Sequence, residues 1–193
     1  MDKQKKLIIL LLVFVLLIGG ATVLYNRLGE NWSPEQLAVS ETQLPEENTT
    51  EPVRIQMPDF VVYDVDGNEA KLSDYFGKPI VLNFWASWCG PCKMEMPDFH
   101  EKYLELGDEV QFLMINMTDG SRETVEIASD FVKEQGYTFP VFYDTSSMAA
   151  YTYGVYSLPT TYFIDAQGYG IAQASGAIDA DLLQQGIDMI YTP

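Results

Sequence analysis

The chain has 193 residues, of which 47% are apolar and 13% aromatic, and it carries 28 acidic against 11 basic side chains for a net charge of −17. That aromatic content marks a folded core and argues against disorder. The charge excludes a partner recognised through its phosphate backbone: residues 53–193 hold seven basic and 21 acidic side chains, and no basic residue follows Lys133. The acidity serves solubility first and biases the choice of partner protein second.

Lys3, Lys5 and Lys6 precede an uncharged run of 19 residues from Leu7 to Tyr25. At 1.5 Å per residue such a run spans about 28 Å, close to the thickness of a bilayer core. The expectation is a cytoplasmic N-terminus over 1–6, a single-pass transmembrane anchor over 7–25, and everything after it outside the cytoplasm. A cleaved signal peptide is the rival, with Gly19-Gly20-Ala21 as a weak cleavage site. No cysteine follows the run, so a lipid-anchored lipoprotein is not expected. Residues 26–56 hold six Glu among Thr, Asn and Pro and read as a flexible acidic linker. Asn48-Thr49-Thr50 within it matches a glycosylation sequon.

One domain is expected over 57–193, long enough for a core of its own. Phe60 to Val65 reads as a strand, Asp66-Gly67 as a hairpin turn, and Ala70 to Leu72 as the strand pairing back. Ile80 to Trp85 is apolar on both parities, the pattern of a central strand buried on both faces. Residues 91–106 read as a helix that Pro97 should kink. Val110 to Met117 follows as a second buried strand. Val125, Ala128, Phe131 and Val132 form a helical stripe within 121–135, and Gly136 stops it. A short strand over Phe139 to Tyr143 and a short helix over Met148 to Tyr153 precede a terminal hairpin, Thr160 to Ile164 and Tyr169 to Ala174. A last helix spans Ala180 to Tyr191. Alternating helices and strands imply an α/β sandwich with a mixed sheet, the terminal hairpin forming its antiparallel edge.

Trp88-Cys89-Gly90-Pro91-Cys92 holds both cysteines of the chain, where a strand gives way to a helix. A C-x-x-C at such a junction reads as a redox-active dithiol/disulfide. As a structural staple the pair would close too small a loop to stabilise much. Cys89 falls at the helix N-terminus, where free N–H groups and the dipole favour an exposed, attacking thiolate. Cys92, one turn inside, is the resolving thiol. Pro91 suits the first helical turn, and Gly90 leaves the sulfur approachable. Structural zinc asks for four Cys/His ligands, and the chain has two Cys and only His100. Haem attachment asks for His at position 93, which is Lys. Glu95, one turn beyond Cys92, is either a solvated helix carboxylate or a partly buried acid/base that takes the Cys92 proton. Pro159 in Leu158-Pro159-Thr160 is trans on general statistics. His100 reads as a surface residue; Tyr151, Tyr153 and Tyr156 read as core and groove lining.

Phe84 to Met94 with Pro97, and Leu158-Pro159-Thr160 ahead of a strand, closely resemble the thioredoxin superfamily. The N-terminal hairpin with Leu72 to Lys78, the anchor, the helix–strand segment Ser121–Tyr143 and the acidic Glu95 resemble its membrane-anchored TlpA/ResA-like branch. The resemblance covers 57–193. It implies a thioredoxin-like three-layer α/β/α sandwich with an N-terminal β-hairpin and a central helix–strand insertion. It also implies a cis Pro159 facing the cysteines, and a substrate groove shaped by Trp88, Gly90, Pro91, Leu158, Pro159 and Thr160. Cys89, Cys92 and Glu95 would carry the chemistry, with no cofactor beyond the Cys89–Cys92 disulfide. The implied reaction is reduction of disulfides in exported proteins, such as an apocytochrome c before haem attachment or a methionine sulfoxide reductase. A membrane thiol-electron transporter of the CcdA/DsbD-like kind would supply electrons to a monomer. Two departures stand out. Gly90-Pro91 is thioredoxin's own dipeptide, and Asn83 stands where thioredoxin has a buried Asp, which leaves proton transfer to Glu95 or water.

Three other functions compete. A disulfide-donating oxidase would use the same residues in the opposite direction. A thiol peroxidase is suggested because the hairpin also resembles peroxiredoxins, but their P-x-x-x-[TS]-x-x-C setting is absent. A copper-binding module of the Sco type would need C-x-x-x-C and a distal His, and no His follows residue 100.

Overall fold

The computed structural model describes residues 37–39 and 54–192. Residues 1–6 and 7–25, expected as a cytoplasmic N-terminus and a membrane anchor, and the sequon lie outside the described residues. Among those described, no helix is long and apolar enough to cross a membrane. The strands are β1 Leu37–Val39, β2 Ile55–Gln56, β3 Val61–Tyr63, β4 Glu69–Lys71, β5 Ile80–Trp85, β6 Gln111–Asn116, β7 Val141–Tyr143, β8 Thr160–Ile164 and β9 Tyr169–Ser175. The helices are α1 Gly90–Leu106, α2 Val125–Gln135, α3 Met148–Thr152 and α4 Ala180–Ile190, with a 3-10 turn at Leu72–Tyr75.

All the strands join one mixed sheet in the order β1-β9-β8-β5-β6-β7-β3-β4, with β2 also on β9. β5 runs parallel to β6 and β6 to β7, while β8 is antiparallel to both β5 and β9. Alternation along the strands sorts side chains onto two faces. Val81 and Trp85 of β5, Phe112 and Met114 of β6 and Phe163 of β8 face one core, together with Met96 and Phe99 of α1, Ala128 of α2 and Leu183 and Ile187 of α4. Ile80, Leu82 and Phe84, Leu113 and Ile115, and Tyr162 and Ile164 face the other, under Phe60, Val62, Leu72, Ala149 and Tyr153. The fold is therefore the expected α/β sandwich, with β5 central and wholly buried.

Several boundaries differ from the sequence reading, each for a local reason. The Asp64 carboxylate accepts the N–H groups of Asp66 and Asn68, so β3 ends at Tyr63 instead of Val65. The Asp119 carboxylate takes the N–H groups of Ser121, Arg122 and Glu123, which delays α2 until Thr124 caps it through Ile127 N–H. Gly136 closes α2 at φ +72°, as its residue type requires. α1 continues through Pro97, whose ring forgoes one helical hydrogen bond. The terminal hairpin is not the sheet edge: β1 and β2 pair antiparallel along the outer side of β9. Within the expected linker, Leu37–Val39 and Ile55–Gln56 are thus strands, because β9 offers them unpaired N–H and C=O groups.

Candidate active site

The site is assembled where β5 stops. A turn from Ala86 to Cys89, closed by Cys89 N–H to the Ala86 carbonyl at 3.1 Å, sets Cys89 as the N-cap of α1. The Cys89 sulfur accepts the Cys92 N–H at 3.2 Å, and Pro91, lacking an N–H, occupies the first turn beside it. Cys89 and Cys92 form a disulfide across a Cα–Cα distance of 5.3 Å. Cys92 is fully buried. Cys89, expected to be exposed, is only 4% accessible in this oxidised state.

A depression beside Cys89 has a volume of about 630 Å³ and is lined by Trp88, Cys89, Gly90, Pro91, Met117, Asp119, Arg122, Val155, Tyr156, Ser157 and Leu158. Four of the six expected groove residues meet there: Trp88, Gly90, Pro91 and Leu158. The Leu158–Pro159 bond is cis, as the resemblance implied. Pro159 and Thr160 are not among its lining residues: both are buried, the Pro159 carbonyl accepts Gly176 N–H, and the Thr160 hydroxyl donates to the Ser157 carbonyl at 2.8 Å. Of the tyrosines, Tyr153 is core, Tyr156 is 98% exposed at the rim, and Tyr151 is exposed and neither core nor lining. His100 is partly buried and bonded to Thr138, away from the depression.

Glu95 is 2% exposed. Its Oε1 accepts Asn83 Nδ2 at 2.8 Å and its Oε2 accepts Ile178 N–H at 3.0 Å. Asn83 itself, fully buried on β5, also donates to Thr161 Oγ1 at 3.0 Å across the β5–β8 ladder. Burial pushes the Glu95 carboxyl up to about 8, although the Ile178 N–H and the Asn83 amide pull the other way. The carboxyl one turn beyond Cys92 is therefore buried and not a solvated helix carboxylate. It holds its proton at neutral pH and releases it slightly above.

Sequence reasoning missed the β6–α2 loop. Arg122 lays its guanidinium over the Trp88 ring, 4.0 Å from the centroid. Asp119, exposed, is drawn down to about 2 by the N–H groups of Glu123, Ser121 and Arg122. Glu123 is fully buried, accepting Ser87 N–H, the Ser87 hydroxyl and Asn116 Nδ2. No spacing relative to the cysteines marks these residues; only the parallel β5–β6 pairing brings the two loops side by side.

A family model described as AhpC/TSA family matches residues 53–169. The thiol-disulfide oxidoreductase ResA of Geobacillus thermodenitrificans is 32% identical over 191 residues, 98% of this chain and 99% of that one. Among solved structures, a DsbF homologue from Corynebacterium diphtheriae superposes with a TM-score of 0.65 at 30% identity, over 81% of this chain and 94% of that one. The exposed lipoprotein thioredoxin Etrx1 of Streptococcus pneumoniae gives 0.59 at 36% identity, over 68% of this chain and 99% of that one.

Proposed function

This chain belongs to the AhpC/TSA family, as a ResA-like thiol–disulfide oxidoreductase, and on that premise we propose that it works as a reductase of disulfides in exported proteins. The observation that carries the exchange chemistry is Glu95, buried one turn past Cys92 with its carboxyl raised to about 8, a group able to take up and return a proton near neutrality. In the reduced protein the Cys89 thiolate attacks one sulfur of the client disulfide, and the other sulfur leaves as a thiolate. Glu95 in its ionised form takes the Cys92 proton. The Cys92 thiolate then attacks the Cys89 sulfur and releases the second client sulfur. Two electrons pass to the client, and Cys89–Cys92 is left as the disulfide. On re-reduction by a donor dithiol, Glu95 returns its proton to the departing Cys92 sulfur.

The uncharged run 7–25 supports a single-pass membrane anchor with the catalytic domain extracytoplasmic. A membrane thiol-electron transporter is the donor that such a placement requires. An apocytochrome c or a methionine sulfoxide reductase is a client of the right chemistry, and the protein acts on it as a monomer. The depression beside Cys89 supports a protein client, since it is open and mostly apolar, with Arg122 and Asp119 among its lining residues.

The test is the reduction potential of the protein against a dithiothreitol or glutathione buffer. A value below about −220 mV is expected for a reductase, and a value above about −150 mV would make it a disulfide donor and reverse the direction.

A further inference from the structure

We propose that Glu123 is a positioning residue for the exchange reaction, a buried clamp that sets the turn from which Cys89 reacts. Its carboxylate is fully buried and ties three segments together. Oε1 accepts Ser87 N–H at 2.7 Å and Asn116 Nδ2 at 2.6 Å, and Oε2 accepts the Ser87 hydroxyl at 2.7 Å. Ser87 is the second residue of the Ala86–Cys89 turn, two positions before the attacking sulfur. Asn116 ends β6, and its Oδ1 accepts the Thr118 hydroxyl at 2.8 Å, so the anchor point is itself held. The neighbouring Arg122 covers Trp88, the residue between Ser87 and Cys89. One short loop therefore grips two consecutive residues of the redox turn.

No cation pairs with Glu123 among the described residues. A carboxylate buried without a counter-ion is retained for the acceptors it supplies, and here both of its oxygens are spent on donors. The closest competing explanation is that its charge tunes the Cys89 thiol electrostatically. The two roles predict opposite behaviour for two conservative variants. Glu123→Gln keeps the reach and loses the charge: its amide oxygen accepts Ser87 N–H and Asn116 Nδ2, and its amide nitrogen donates to the Ser87 oxygen. Glu123→Asp keeps the charge and draws the carboxylate back by one methylene, out of reach of Ser87.

The experiment is the rate of Cys89 alkylation by iodoacetamide in the reduced full chain as a function of pH, beside turnover of insulin disulfides. For a clamp, Glu123→Gln stays within about threefold of the parent with the same pH midpoint. Glu123→Asp loses about tenfold or more, because misplacing a reacting group costs up to ~100-fold. Equal rates in parent and Glu123→Asp, or a loss in Glu123→Gln matching that in Glu123→Asp, overturn the proposal. Should Glu123→Asp fail to fold by circular dichroism, Ser87→Ala decides: it deletes only the hydroxyl bond and must lower the rate in the same direction by a smaller factor, and an unchanged rate overturns the clamp. The inference rests on thiol exchange at Cys89 and not on its direction. A parent protein inactive toward insulin yet alkylated normally would count against the reductase reading alone.

Discussion

Replacing Glu95 by Gln should flatten the pH dependence of stability of the oxidised protein. The carboxyl rises from an ordinary 4.5 to about 8 on folding, through burial at 2% exposure. Below pH 4.5 both folded and unfolded chains hold the proton, and its stabilising contribution is fully present. Between 4.5 and about 8 the unfolded chain releases the proton and the folded one does not, so stability is lost as pH rises. The slope is about 1.4 kcal/mol per pH unit, and the total loss by pH 8 is about 5 kcal/mol, a large share of the ~5–15 kcal/mol that holds a domain folded. Gln has no proton to release and should flatten this slope. It also meets two donors, Asn83 Nδ2 and Ile178 N–H, with a single acceptor oxygen, and the mismatched donor costs about 1–3 kcal/mol at every pH. Glu95→Gln should therefore be less stable than the parent at pH 5 and more stable at pH 9. Urea unfolding midpoints of the oxidised proteins across that range measure it, and a 5 kcal/mol change moves a midpoint by about 2 M. The reasoning fails if the parent and variant curves run parallel, because every other titrating group is common to both.

Cys92→Ser should trap a mixed disulfide between Cys89 and a model client such as insulin, visible by mass spectrometry, whereas Cys89→Ser should form none and should lose insulin reduction. Gly186→Ala places a methyl inside the buried ring of Phe163, so overpacking of about 3 kcal/mol should exceed the ~1 kcal/mol gained in helix propensity, and the melting temperature should fall by about 5 °C. Asn83→Asp sets a second carboxyl within 2.8 Å of Glu95; the two should share one proton, and the variant should lose more stability than the parent between pH 7 and 9 in the same urea titration.

What the sequence discloses about this fold follows from how local each signal is. The apolar runs of β5 and β6, buried on both faces, and the helical stripe of α2 with its Gly136 stop act within a few residues, so strands and helices emerge near their true places. The cysteine pair, the start of its helix and Glu95 lie within the seven residues Cys89 to Glu95, and their grouping is legible for the same reason. Sheet edges are not local. That β9 would be covered by Leu37–Val39 and Ile55–Gln56 depends on a pairing across more than a hundred residues, and the acidic composition of 26–56 points the other way. Side-chain direction is not legible either: Leu158, two residues before Thr160, lines the depression, whereas the hydroxyl of Thr160 turns back to the Ser157 carbonyl.

Glu95 and Glu123 show how one residue type takes two roles on either side of the redox turn. Both carboxylates are buried, and neither has a cation within reach among the described residues. Their donors differ in number and in origin. Glu95 receives two, one of them from Asn83, a side chain that donates to it without carrying charge. Desolvation outweighs these bonds and leaves a proton on Glu95 near neutrality, which suits a group that must both accept and return one. Glu123 receives three, two of them from Ser87 alone, and each would have to be broken for the carboxylate to move. Asn at position 83 fits this division. An Asp there would compete with Glu95 for the same proton, whereas Asn83 donates to both Glu95 and Thr161 and holds no titratable proton. On the roles proposed above, proton transfer at Cys92 and geometry at Cys89 fall to separate carboxylates that share no hydrogen-bond partner.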